Sequence, residues 1–321
     1  MRRAERRGHW TKALYALVLM TGLSGCASAV GGTVENRAER ASNQYVTVGD
    51  TKFAYRSFGE GAGAPIMFLN RFRATMDHWD PAFVNAVAMK RRVILFDNAD
   101  VGLSTGEAPD TFPKMADDVA RFARGLGVDR ADVVGWSIGG MVAQALLVRH
   151  PQLVRRAVLL ATIPPGGTAE QFPPISEEVR RAAGNPTGGT ESDLLFLFFA
   201  PSQSSRAAGR ESLARLQTRV GPPSPPVRAE TMRNQIAALT DWYRGSNGIL
   251  KSYRQIDRAV LVANGSQDAM FSAQQSFVLA REIPSAQLAI YPDSGHAFMF
   301  QYPDTFARLM LDFLDDPRWN P

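Results

Sequence analysis

The sequence predicts an α/β fold: a mostly parallel sheet covered on both faces by helices. Three observations lead there. Short apolar runs without polar alternation recur at Pro65–Leu69, Arg92–Phe96 and Ala157–Ala161, as strands buried on both faces require. Segments of helical period separate these runs, so the chain up to Ile163 reads β-β-β-α-β-α-β-α-β. The third is the stretch Asp132-Val133-Val134-Gly135-Trp136-Ser137-Ile138-Gly139-Gly140. There an apolar run ends in Gly-x-Ser-x-Gly and a helical pattern from Met141 to Arg149 follows at once.

The elements follow in order. Gln44 to Val48 and Lys52 to Phe58 alternate around Gly49-Asp50, a hairpin signal. Pro65–Leu69 is the first buried strand and leads into Asn70-Arg71-Phe72-Arg73. Asp80-Pro81 opens a helix, Asp as N-cap and Pro at the first helical position. The strand Arg92–Phe96 ends in Asp97-Asn98-Ala99-Asp100-Val101-Gly102, and Phe112, Met115, Val119, Phe122 and Leu126 then recur at helical spacing. After the serine turn and its helix comes the strand Ala157–Ala161.

At Ile163-Pro164-Pro165-Gly166-Gly167 the rhythm breaks. Prolines and glycines punctuate helical patterns from there to about Tyr253, which predicts a helical cap over 164–253 inserted into a core of 44–163 and 254–321. The most apolar cap segment, Leu194 to Phe199, reads first as a buried packing helix, with a pocket wall or a membrane-facing patch as the alternative; the packing and wall readings are compatible. Ala259–Ala263 restores the strand pattern before Asn264-Gly265-Ser266-Gln267-Asp268. A helix from about Ala273 to Arg281 leads to the last strand, Gln287–Tyr291, then to Pro292-Asp293-Ser294-Gly295-His296 and a closing helix.

The N-terminus stands apart from the fold. Arg2, Arg3, Arg6, Arg7 and Lys12 precede the apolar stretch Ala13–Met20, and Leu23-Ser24-Gly25-Cys26 follows. Residues 1–25 therefore read as a secretory signal. Leu-Ser-Gly-Cys resembles the lipobox of bacterial lipoproteins, which implies cleavage before Cys26 and lipid on its sulfur; an ordinary signal peptide is the other reading. Residues 26–43 look like a tether. Ala27 lacks the Asp that often retains lipoproteins at the inner membrane, which points to export and an anchor in the outer one. Cys26 is the chain's single cysteine, so an internal disulfide and a cysteine-based metal site are both excluded. Five Lys/Arg and one Glu lie in the first 25 residues and account for four of the five net positive charges. The basic pI of about 9.5 is therefore no sign of nucleic-acid binding.

A serine hydroxyl is a poor nucleophile near neutral pH and needs a base within hydrogen-bond reach. Of the four histidines, His9 lies in the signal, His78 precedes a helix cap, and His150 ends the helix behind the serine. His296 follows the final strand on a Gly-rich loop at the sheet's carboxyl end, where sites of parallel sheets assemble. A carboxylate must fix its tautomer. Asp268 follows the strand Ala259–Ala263 at that same end; Asp293, three residues before the histidine, is the rival, read as a support of the local turn.

The order Ser137…Asp268…His296 resembles the α/β-hydrolase fold family, over nearly everything from Gln44 to Leu314. Gly-Trp-Ser-Ile-Gly-Gly looks most like the serine esterase and cofactor-free haloperoxidase branch. The resemblance implies an eight-stranded sheet, a cap domain and no metal or cofactor. It also implies an oxyanion hole formed by the backbone N–H groups of Phe72 and Ile138. Two departures stand out: Asn70-Arg71 where the family usually places His-Gly, and Asn98 to Gly102 where it often has Arg-Gly. Arg71 reads as a solvent-facing or ion-paired arginine, or else Arg71 or Arg73 attracts an anionic group of the substrate. Arg71, Trp136 and Phe298 are the candidate substrate contacts. The expected activity is hydrolysis of a small-molecule ester, thioester or lactone through an acyl-enzyme on Ser137. The alternatives are a C–C bond hydrolase or acyltransferase with the same residues, and a non-catalytic ligand-binding or signalling lipoprotein.

Overall fold

The computed structural model describes residues 37–167, 175–185 and 188–319, with residue 319 in its backbone only. The expected signal, the expected lipidation site Cys26 and most of the expected tether lie outside the described residues. Among the described residues no helix is long and apolar enough to cross a membrane.

Eight strands form one sheet in the order β1-β2-β4-β3-β5-β6-β7-β8. β1 (Gln44–Val48) and β2 (Thr51–Phe58) form the expected hairpin, with Val48 opposite Thr51 and Gly49 in the left-handed region at φ 60°. β2 pairs antiparallel with β4 (Val93–Phe96), and every later pairing is parallel. These parallel strands are β3 (Ile66–Leu69), β5 (Ala131–Trp136), β6 (Val154–Leu160), β7 (Val260–Gly265) and β8 (Ala286–Tyr291).

Successive side chains of a strand point to opposite faces, and the core divides accordingly. Phe68, Val134, Val158 and Leu160 join one apolar cluster with α1 (Pro81–Ala88) and α10 (Pro303–Asp315). Met67, Val133, Ala157 and Leu159 join the other, with α2 (Phe112–Gly125), α3 (Ile138–Arg149) and α8 (Ala273–Glu282). β5 is buried at every position, which is why its sequence shows no polar alternation. α1 begins as read: the Asp80 carboxylate accepts from the Ala82 N–H at 2.9 Å, and Pro81 occupies the first turn.

Among the described residues between β6 and β7 lie four helices, α4 (Glu177–Ala183), α5 (Glu191–Phe198), α6 (Gln203–Leu216) and α7 (Ala229–Arg244). They form a cap-like insertion at the carboxyl end of the sheet. A 3-10 turn over Ile249–Gln255 crosses the boundary expected at 253 and returns to the core, where the Tyr253 hydroxyl donates to Gln144 Oε1 of α3. A short helix, α9 (Phe298–Gln301), precedes α10.

Candidate active site

The turn between β5 and α3 carries Ser137 at φ 59° and ψ −119°, a left-handed conformation that an L-residue with a Cβ adopts only under strain. Its surroundings hold it there. The Ser137 N–H donates to Leu160 O of β6 at 2.9 Å. A Cβ at Gly139 would lie 2.2 Å from Leu69 O, and one at Gly135 would lie 2.3 Å from Gly139 O. Both glycines are therefore needed for α3 to start this close to the ends of β3 and β5. The first amides of α3 have no intrahelical acceptor and lie at the positive end of its dipole. Ile138 contributes the first of them.

His296 follows β8, in a loop that Gly295 lets approach the cap; a Cβ there would lie 2.8 Å from Phe198 O. The Ala297 N–H donates to that same oxygen at 2.9 Å. Nδ1 of His296 lies 2.7 Å from Asp268 Oδ2, and both side chains are buried. The other carboxylate oxygen of Asp268 accepts from the N–H groups of Met270 and Phe271 at 2.8 and 3.0 Å. The acid is thus fixed before it meets the imidazole. Nε2 of His296 is buried without a hydrogen-bond partner among the described residues, and it belongs to the same cavity wall as Ser137. Nucleophile–base hydrogen bonds are commonly long without substrate and tighten in the Michaelis complex.

Asp293 takes a different part. Its carboxylate accepts from the hydroxyls of Ser202 and Ser204 at 2.7 and 2.6 Å, which hold it below the ordinary aspartate range. It ties the histidine loop to the start of α6 and does not touch the imidazole. The remaining described histidines have other partners, His78 while lining the same cavity. His150 Nε2 lies 2.7 Å from Asp117 at the far end of α3. His78 Nδ1 accepts from the Thr75 N–H at 3.0 Å, and burial, aided by the charge of Arg71, pulls its pKa down to about 4.

On the other side of the cavity the loop after β3 is pinned by Asn70, in the position where the family usually has histidine. Its amide donates to Phe96 O at 2.8 Å, and its oxygen accepts from Trp79 Nε1 at 2.9 Å. No acceptor among the described residues takes the Phe72 N–H. The left-handed residue of this loop is Arg73, at φ 55°, rather than Arg71. Arg73 is used by the cap: its N–H donates to Gln235 Oε1 at 3.0 Å, and its Nη1 to the carbonyls of Ala183 and Asn185 at 2.9 and 2.8 Å. Arg71 lines the cavity, half-buried.

The cavity measures about 720 Å³ and lies between the sheet rim and the cap, within the size range of small-molecule sites. Leu194, Leu197, Phe198 and Phe199 supply part of its wall, so this run both packs and lines the pocket. Trp136 also lines it, and donates from Nε1 to His296 O at 2.9 Å. Phe298 does not. Its ring is fully buried against Tyr291 and Phe306, 5.2 and 4.9 Å between centroids. The expected substrate contact at Phe298 is therefore corrected to a core position, because α9 starts there and turns that side chain inward. Phe300, two residues on, faces the cavity instead. The sequence carries no signal for this exchange, since a four-residue helix is too short for a readable period.

Among the described residues no cluster of three or more His, Cys, Asp or Glu side chains could hold a metal ion.

The chain is similar to known proteins over most of its length. It is 32% identical to an alpha/beta hydrolase fold protein from Chitinophaga pinensis whose structure superposes with a TM-score of 0.80, covering 88% of this chain and all of that one. A 2-hydroxymuconate semialdehyde hydrolase from Pseudomonas sp. (strain CF600) is 29% identical over 79% of this chain and 88% of its own length. The structure of Est816, described as an N-acyl homoserine lactone degrading enzyme, is 28% identical with a TM-score of 0.64, over 84% of this chain and all of that one. The alpha/beta hydrolase fold profile matches residues 64–303, and with a serine turn, an imidazole and a carboxylate gathered at one sheet edge the chain belongs to the α/β-hydrolase fold family as an enzyme of the serine-hydrolase type.

Proposed function

We propose that the protein hydrolyses a small carboxylic ester, thioester or lactone through an acyl-enzyme on Ser137. One observation carries this reading: His296 is held by Asp268 through Nδ1 while its Nε2 is left unpartnered in the cavity wall that also contains Ser137. In this mechanism Nε2 takes the Ser137 proton as Oγ attacks the carbonyl carbon. The negative charge passes to the carbonyl oxygen, where the N–H groups of Phe72 and Ile138 stabilise it. The imidazolium returns the proton to the leaving group. Water then attacks the acyl-enzyme by the same route and releases the acid. The Gly-Trp-Ser-Ile-Gly-Gly turn is the reason to look first on the esterase and haloperoxidase-like side of the family.

The likeness to a 2-hydroxymuconate semialdehyde hydrolase supports a second reading, cleavage of a C–C bond beside a carbonyl with the same residues. A fluorophosphonate probe and a panel of aryl esters, lactones and β-diketones separate the outcomes. Labelling of the wild type, its loss in Ser137→Ala and ester turnover are expected. Labelling that persists in Ser137→Ala removes the assignment, and turnover of diketones alone moves it to the second reading.

The reading extends to location. A basic region, an apolar stretch and Leu-Ser-Gly-Cys support a lipid anchor on Cys26, with the enzyme exported to the cell envelope and held at the outer membrane. Cap boundaries at 164 and 253 belong to the same proposal. Membrane fractionation tests the anchor: Cys26→Ala should move the protein to the soluble fraction, and unchanged membrane association would refute it.

A further inference from the structure

Several inward-facing arginines of this fold meet carboxylates, while the buried Arg156 donates to the backbone carbonyls of Phe313 and Asp316. Arg56 lies 2.5 Å from Asp77, Arg91 2.5 Å from Asp132, and Arg155 2.6 Å from the same Asp132. Arg215 of the cap lies 2.7 Å from the fully buried Asp80. Arg71 departs from this pattern. Its guanidinium carbon lies 4.6 Å from the Phe198 ring centroid and 5.2 Å from that of Trp136. Nη1 donates to Phe72 O at 2.8 Å, and Nε is buried without a partner. It forms no ion pair with any carboxylate among the described residues.

A cation walled by two aromatic rings is partly stabilised by their π-faces, yet it has given up much of its hydration. Burial, with the charge of Arg73 added, draws its pKa down to about 9, which still leaves it charged at neutral pH. The other titratable groups around it do not neutralise it. His78 stays uncharged near neutral pH, and Asp77 is committed to Arg56 and to the Ser224 N–H at 2.7 Å. Arg73 adds positive charge and is spent on cap carbonyls. The cavity wall therefore has a fixed planar cation one residue before the proposed oxyanion donor Phe72, with Ser137 and His296 in the same wall.

We propose that the substrate is an acyl compound bearing a carboxylate, and that Arg71 is the specificity-determining residue that binds it. The inference rests on the serine-hydrolase reading above and narrows its substrate class. A carboxylate suits this partner because a guanidinium presents its donors in one plane, and the Phe198 and Trp136 rings hold that plane. The carboxylate can lie on the acyl side of the scissile bond or on its leaving group. Either way the anion approaches the nucleophile closely, so the carbonyl is positioned by the charge pair rather than by apolar fit alone.

The test compares matched esters. For the acyl side the pair is mono-4-nitrophenyl adipate and its methyl ester. For the leaving group it is 3-carboxyphenyl butyrate and 3-carbamoylphenyl butyrate. In one of the two pairs the wild type should prefer the carboxylate member by about 10- to 100-fold in kcat/KM, the range of a charge-assisted hydrogen bond. In Arg71→Gln that preference should fall to within about twofold through a rise in KM for the anionic member, and Arg71→Lys should restore part of it. Equal rates within both pairs for the wild type overturn the proposal. So does an Arg71→Gln variant in which both members of a pair fall together, the result of a residue that only latches the loop to α5. Should Arg71→Gln fail to fold, competition against butyrate ester hydrolysis decides: 4-phenylbutyrate must inhibit the wild type at least about tenfold better than 4-phenylbutyramide, and equal inhibition rejects the proposal. Failure of the underlying hydrolase reading is recognised separately, by loss of fluorophosphonate labelling at Ser137, and it removes both.

Discussion

The sheet rim and the cap build opposite walls of one cavity by different means. The rim is made of backbone. Ser137 is held by its own N–H on β6 and by glycines too close to Leu69 O and Gly139 O to be anything larger. The cap is fastened by side chains: Arg215 to Asp80, Arg73 to the end of α4, the hydroxyls of Ser202 and Ser204 to Asp293, and Ser205 to Gln301. A wall of backbone tolerates little change and fixes the reacting atoms. A wall fastened by side chains can vary in sequence while the chemistry beneath stays put.

The largest effects should come from the rim. Ser137→Ala and His296→Ala are each expected to lower kcat by about 10⁴- to 10⁶-fold on an aryl ester, since these groups act as a unit. Asp268→Asn should cost about 10³- to 10⁴-fold by releasing the imidazole tautomer. Asp293→Asn should stay within about tenfold, because that carboxylate holds cap serines rather than the base. A loss at Asp293 matching that at Asp268 would reverse the assignment of the two acids.

Stability should separate the walls next. Arg215→Met leaves Asp80 fully buried without its cation, which is expected to cost about 3 kcal/mol in denaturant unfolding. If rim and cap unfold independently, the transition should broaden or split. A single transition shifted by that amount shows them cooperating. Gly139→Ala forces a Cβ to within 2.2 Å of Leu69 O, and overpacking of this kind costs about 1–3 kcal/mol. Its effect on rate should exceed its effect on stability, because the strain falls on the turn that aims Ser137. Equal effects on both would place the strain in the fold at large.

What could be read from the sequence follows the same division. The rim was legible because backbone constraints leave local marks. Gly135 and Gly139 must be glycine, Asp80-Pro81 must start a helix, and β5 must be apolar throughout to sit between two layers. The pairing of Asp268 with His296 then follows from strand ends lying on one edge. The cap was legible only as helices. Which faces of α5 and α6 meet the cavity depends on how they dock, and docking rests on long-range pairs such as Arg73 with Ala183 O that have no period. Phe298 was read as a cavity residue for the same reason: near so short a helix the directions of Phe298 and Phe300 are set by the core around them.

A further effect lies in two titratable groups of opposite sense, the half-buried His78 and the fully buried Asp97. His78 takes its proton at about pH 4 in the fold and near 6.5 when unfolded, because burial disfavours the imidazolium. Between those values the unfolded chain binds more protons, so this group weakens the fold as pH falls through that window. Asp97 has its pKa raised by burial from 3.8 to about 6. Between those values the native state binds more protons, so its contribution is full below pH 3.8 and is lost as pH rises through about 6. The two trends oppose each other from about pH 6 to about pH 4 and should leave the wild type's stability nearly flat from this pair. His78→Asn, whose amide oxygen can still accept from Thr75, should therefore gain about 2–3 kcal/mol relative to the wild type on acidification across that window. Chemical denaturation of both proteins at pH 6 and pH 4 measures the difference, and a constant offset between them would mean that His78 is as easily protonated in the fold as outside it.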